Sequence, residues 1–178
     1  MHNSSETTPS LSFPEAIAVT QSLMEKMNNR QVNELEIEKA IASLVNTKNG
    51  ARGFFVAYLT SEMTLADNPT VAVIKALKTA PEVISELLVK NLAMSSAMAV
   101  THRRGHDQIQ AQNSERVTKR TANLIRLVNL DLITVELNKL QATIATGQGE
   151  YGDFLKRWGY DRTQQEVIEQ AIISVSAT

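Results

Sequence analysis

Three observations predict an all-α fold for this chain of 178 residues. Its apolar residues recur at three-and-four spacing almost throughout, its seven glycines and four prolines fall below ordinary usage, and capping signals stand where the periodic stretches begin. A chain of this length suits one domain, able to bury roughly 70% of its unfolded surface. We expect a single compact bundle of seven to nine helices over residues 13–178, with no significant β-sheet and a flexible tail at 1–12.

The first helix is announced by Ser12-Phe13-Pro14-Glu15, where the serine hydroxyl can cap and Glu15 can reach back. It carries Ile17, Leu23, Met24 and Met27 and should end near Asn28-Asn29. A second starts at Asn33 by the same logic, presents Leu35, Ile37, Ile41, Leu44 and Val45, and breaks over Asn46 to Gly50. Its three early glutamates suit the positive end of a helix. A third, Ala51 to Met63, holds Phe54, Phe55, Tyr58 and Leu59 and is expected in the core. Pro69 and Pro81 each stand where a helix can start, because a first-turn residue has no intrahelical donor to lose.

The helix from Pro81 to about Arg104 is apolar or small on every side between Leu92 and Val100. That pattern marks the central, most buried helix, or in part an oligomer contact. Asp107 can cap the next helix, whose first turns, Gln108 to Glu115, are polar and face solvent before Val117, Thr121, Leu124, Ile125 and Val128 form a stripe. A second stripe, Leu130 to Ile144, is out of register with the first, so a kink or turn is expected near Asn129-Leu130-Asp131. Glycines 147, 149 and 152 end that segment. A short helix follows at Asp153 to Trp158, and Thr163-Gln164-Gln165-Glu166 reads as a capping box for a last helix reaching Val175.

Composition closes several function classes. Eighteen Lys and Arg against nineteen Asp and Glu give a net charge of −1, so any pull on nucleic acid or an anionic membrane must be local. The absence of cysteine removes disulfides, Cys-ligated zinc, iron–sulfur clusters and thiol nucleophiles. Met1 to Ser12 lacks the basic and apolar regions of a secretory signal. The apolar stretch free of charge, Asn91 to Thr101, is far short of the ~20 residues a bilayer requires, so a cytoplasmic protein is expected. No G-x-S-x-G elbow, Walker A loop or EF-hand loop is present.

Four stretches bear on chemistry. His102-Arg103-Arg104-Gly105-His106-Asp107 could bind an anion. The preferred alternative is a helix junction in which the arginines offset the negative helix end, Gly105 is the left-handed terminator and Asp107 starts the next helix. His102 and His106 have i, i+4 spacing, but Gly105 falls between them and no Glu-x-x-His pair exists, so neither a metal site nor a catalytic set is assigned. Residues 101–126 carry a local charge of +4. Arg116, Lys119, Arg120 and Arg126 are placed on the face opposite Val117, Leu124 and Val128, as a basic stripe able to meet phosphates. No aromatic residue is interleaved for base stacking, so a solvated or partner-facing stripe is favoured over nucleic acid.

Gly147-Gln148-Gly149-Glu150-Tyr151-Gly152 spells G-x-G-x-x-G, but a helix end precedes it where the dinucleotide fingerprint needs a strand. It reads as a helix cap and loop. Tyr151, Phe154, Leu155 and Trp158 share one helical face and anchor the C-terminal segment, while an exposed Trp158 beside Lys156 and Arg157 would make a contact site.

The function expected from this is a non-catalytic helical module for protein–protein interaction or self-association, with no cofactor and no membrane partner. The alternative is binding of a phosphate-bearing ligand or nucleic acid through His102, Arg103, Arg104, His106, Arg116, Lys119 and Arg120.

Overall fold

A computed structural model describes residues 10–177, which form nine α-helices and one short 3-10 turn, with no strand among the described residues. The expected tail at 1–12 lies largely outside them. The helices are α1 (Phe13–Asn28), α2 (Glu34–Val45), α3 (Lys48–Thr60), α4 (Val71–Leu77), α5 (Pro81–Arg104), α6 (Gln108–Val128), α7 (Asp131–Thr146), α8 (Gly152–Trp158) and α9 (Arg162–Ser176), with the 3-10 turn at Thr64–Ala66.

Local chemistry sets most of the starts. Capping boxes close α1 (Ser12 with Glu15), α2 (Asn33 with Glu36) and α9 (Asp161 with Gln164), each satisfying two backbone donors that a helix leaves without partners. The cap of α9 is thus Asp161, two residues before the expected Thr163, because Gln164 rather than Glu166 reaches back to the cap backbone. α3 begins at Lys48, earlier than expected. Thr47 accepts from the Gly50 backbone at 3.1 Å, and Gly50 sits so close to the Leu44 carbonyl that an added Cβ would lie 1.9 Å from its oxygen. Pro69 precedes the α4 cap, Thr70, while Pro81 opens α5 as expected. Residues 129 and 130 alone separate α6 from α7, with Asn129 left-handed at φ 48.

The bundle is organised around α5, which packs on α3, α6, α7 and α9, while α1 crosses α3 and α2 packs on α3 and α4. The α1–α3 crossing is close: a Cβ on Gly53 would meet Ala16 Cβ at 2.5 Å. Ile84, Leu88 and Leu92 of α5 are fully enclosed together with Phe54 and Tyr58 of α3, whose rings stack at 5.0 Å. Each such aliphatic side chain contributes roughly 1.5–3 kcal/mol through the apolar area it removes from water. By length and composition α5 could cross a membrane, but 67% of its apolar window is buried inside the bundle.

Candidate functional site

The structure places the hexapeptide at the corner joining α5 to α6 and gives its backbone a different terminator. Gly105 has an ordinary φ of −79, and His106 is the left-handed residue at φ 59. The amide of Asp107 donates to the His102 carbonyl at 2.9 Å and that of His106 to Arg103 at 3.1 Å, which closes the helix one residue later than the glycine suggests. Asp107 caps α6 as expected, accepting from the Gln110 amide at 3.0 Å.

The cations of residues 101–126 do not form one free surface. Arg103 pairs with Glu115 and Arg104 with Asp161. Arg116 grips Glu62 through both terminal nitrogens, at 2.8 and 3.1 Å. These bonds hold the Glu62 and Asp161 carboxyls below their ordinary range, by hydrogen bonding to Arg116 and Arg104 respectively. Arg126 turns to the Ser174 carbonyl at 3.1 Å. Lys119 stays exposed with no ion pair among the described residues, in a polar cleft of about 490 Å³ that it shares with Gln112 and Asn123.

Arg120 departs furthest from the exposed stripe expected of it. Only 3% of it is accessible. Nε donates to Asp67 at 2.7 Å, Nη1 to the Leu59 and Ser61 carbonyls at 2.9 and 2.8 Å, and Nη2 to the Met63 carbonyl at 3.0 Å. α3 has no basic residue in its last turn, so this guanidinium from α6 supplies the donors its C-terminal carbonyls lack. Tyr58 adds a bond from its hydroxyl to the Leu65 carbonyl at 3.1 Å. Residues 59–67 are therefore clasped from both sides, and Arg120 is structural.

A second assembly forms where α1, α3, α5 and α8 meet. Phe13, Phe55, Phe154 and Trp158 surround a groove of about 550 Å³, with Leu87 and Met94 in its wall and Lys48, Arg52, Lys90 and Arg157 among its lining residues. Arg52 lies over the Phe13 ring at 4.9 Å, and Lys90 stands 5.9 Å from the Phe154 centroid. Lys48 and Lys90 share Glu86. Arg52, Lys156 and Arg157 have no ion pair among the described residues. Trp158 is 46% exposed and Val56 beside it 43%.

None of the residues of α8 is buried, and glycines bracket the helix: Gly147 and Gly149 before it, both at positive φ, and Gly159 after it at φ 60. The G-x-G-x-x-G letters are accordingly the cap of α7 and the loop into α8. Tyr151 and Tyr160 flank α8 and anchor the segment, each less than a tenth exposed. Burial pushes the Tyr160 hydroxyl up to about 12.

Of the sequence-predicted contact residues, Arg157 and Trp158 line this groove and Lys156 lies outside its lining. Phe13, Lys48, Arg52 and Lys90 were not anticipated. They come from three helices apart from α8, and only the aromatic window 151–160 was a usable signal.

A family model described as "Uncharacterised conserved protein UCP020893" matches residues 12–175, and the chain belongs to this family. No curated protein and no solved structure matches the chain.

Proposed function

We propose that this family member is a non-catalytic interaction module whose groove between α1, α3, α5 and α8 receives a partner protein's segment that presents an apolar side chain next to a carboxylate. One observation carries this: four aromatic rings and four cations converge on one groove, and two of those cations, Arg52 and Arg157, have no carboxylate partner among the described residues. Tryptophan and arginine, which both line this groove, are among the residue types that dominate binding energy at protein interfaces. A groove of this size holds one or two side chains, not a globular surface.

The phosphate- or nucleic-acid-binding alternative has less support, because Arg103, Arg104, Arg116 and Arg120 already meet Glu115, Asp161, Glu62 and Asp67. Neutralised cations release few counterions on binding.

The test is affinity purification of the tagged chain from its native cells at low and high salt, beside an Arg52→Glu/Arg157→Glu variant. A discrete protein retained by the wild type at high salt, lost from the variant, and able to shift the fluorescence of Trp158 when purified is the expected result. Trp158 is the chain's single tryptophan, so the emission reports this groove alone. Identical proteins on both baits, or nucleic acid in place of protein, would overturn the proposal.

A further inference from the structure

Lys90, Asp153 and Phe154 also line a second cleft of about 400 Å³, built by α5, α7, α8 and the loop before α8. Its character is opposite. Glu82, Glu86, Glu136, Glu150 and Asp153 line it against one lysine, Lys90. Two more ammonium groups reach these carboxylates: Lys139, at 3.0 Å from Glu136 and 2.9 Å from Glu150, and Lys48, at 3.3 Å from Glu86. Two carboxylates, Glu82 and Asp153, remain without an ion pair among the described residues.

Acidic groups at helix starts and in i, i+4 pairs are ordinary, and these alone would define no site. Ser85 supplies the independent observation. It lines the same cleft, is 1% exposed, and its Oγ has no hydrogen-bond partner. Elsewhere in the same helix Ser95 and Ser96 turn their hydroxyls back to the Asn91 and Leu92 carbonyls, at 2.7 and 2.6 Å. Ser85 does not make that bond, and a buried hydroxyl left unpaired is costly unless something meets it.

The distribution of charge selects the ligand. Among the described residues no three acidic or histidine side chains converge on a point that one metal ion could occupy. The five carboxylates of the cleft outnumber the three lysines that reach them by two, and Leu132 and Phe154 add apolar lining. Glu136 is held in place by the Tyr151 hydroxyl, which donates to it at 2.6 Å, and burial followed by that carboxylate keeps the phenol protonated well above its ordinary range. We infer that this cleft binds a small aliphatic diamine: two ammonium groups separated by methylenes, one meeting Glu82 and the other Asp153, with Ser85 accepting from an ammonium and the chain lying on Phe154.

Titration calorimetry of the whole chain with putrescine tests this, with n-butylamine and magnesium chloride as the comparison probes. The expected result is one site for putrescine, weaker at higher salt, with n-butylamine bound about tenfold or more weakly for want of the second charge-assisted bond. Glu82→Gln/Asp153→Asn should lower putrescine affinity by about tenfold, the two lost solvent-screened ion pairs together amounting to that much. Both carboxylates are exposed, so circular dichroism of the variant should match the wild type. Ser85→Ala separates a ligand-meeting hydroxyl from a merely orphaned one: weaker putrescine binding supports the site, and unchanged binding in a stabilised protein argues against it. Absence of binding heat, magnesium binding as tightly as putrescine, or affinity unchanged in the double variant would overturn the inference. The Arg52→Glu/Arg157→Glu variant, which addresses the groove, should keep putrescine binding, so the two proposals fail separately.

Discussion

Arg120 and Arg157 carry the same guanidinium, yet one is 3% exposed with four hydrogen bonds and the other stands in solvent with no ion pair among the described residues. Around Arg120 each donor bond has an acceptor that would otherwise be orphaned, and the region is closed. Around Arg157 the Phe13, Phe154 and Trp158 rings are only partly covered, α8 has no buried residue, and cations outnumber the acids that reach them. The contrast teaches where this chain's charge holds its own backbone and where it is left for something else. The basic residues of 101–126, expected as a solvated or partner-facing stripe, mostly turn inward or onto neighbouring acids.

The largest effect should come from breaking the closed region. Arg120→Met removes donors from the Leu59, Ser61 and Met63 carbonyls and should lower unfolding free energy by about 3–5 kcal/mol, read as a lower denaturant midpoint. A loss below about 1 kcal/mol would mean that Tyr58 and the core hold residues 59–67 without the clasp.

A smaller effect is expected from pH. The hydrogen bond from Arg120 depresses the Asp67 carboxyl below its ordinary 3.8. The unfolded chain therefore takes up the proton first, so this contribution is fully present above about pH 4 and is lost as pH falls through the depressed folded value. Asp67 is 41% exposed, so solvent screening keeps the contribution under about 1 kcal/mol. Asp67→Asn should flatten the acid limb of a stability–pH curve, and an unchanged limb would assign acid sensitivity to Glu62 and Asp161 instead.

The smallest effect should be in the open region. Arg157→Gln touches an exposed side chain with no ion pair among the described residues and should change stability by no more than about 0.5 kcal/mol in thermal or denaturant unfolding. A loss of several times that would show the groove to be part of the folding core, and the comparison with Arg120 would collapse.

Much of the fold was legible because its causes are local. The capping boxes of α1 and α2, the proline opening α5, the break at 129–130 and the apolar-or-small stretch 92–100 all act within a few residues, and each stands where local signals put it. Errors were local too. His106 took the left-handed position that Gly105 was expected to fill, and Asp161 took the cap assigned to Thr163, because neighbouring residues offered competing caps with similar chemistry. The candidate site was legible only in part: Trp158 and Arg157 stood out, while Phe13, Arg52 and Lys90 lie far away in the chain and gave no signal.

By itself the sequence determined that the chain is helical, where most helices start, and that α5 is its centre, since hydrogen bonds and apolar period within a helix are set by residues three or four apart. Tertiary structure alone decided what most of the arginines of residues 101–126 do. Arg120 finds its partners 53 to 61 residues away and Arg104 finds Asp161 57 away, and nothing in a helical period says which face of one helix will meet the end of another. That choice belongs to packing, which placed one arginine inside the protein and left another beside an open groove.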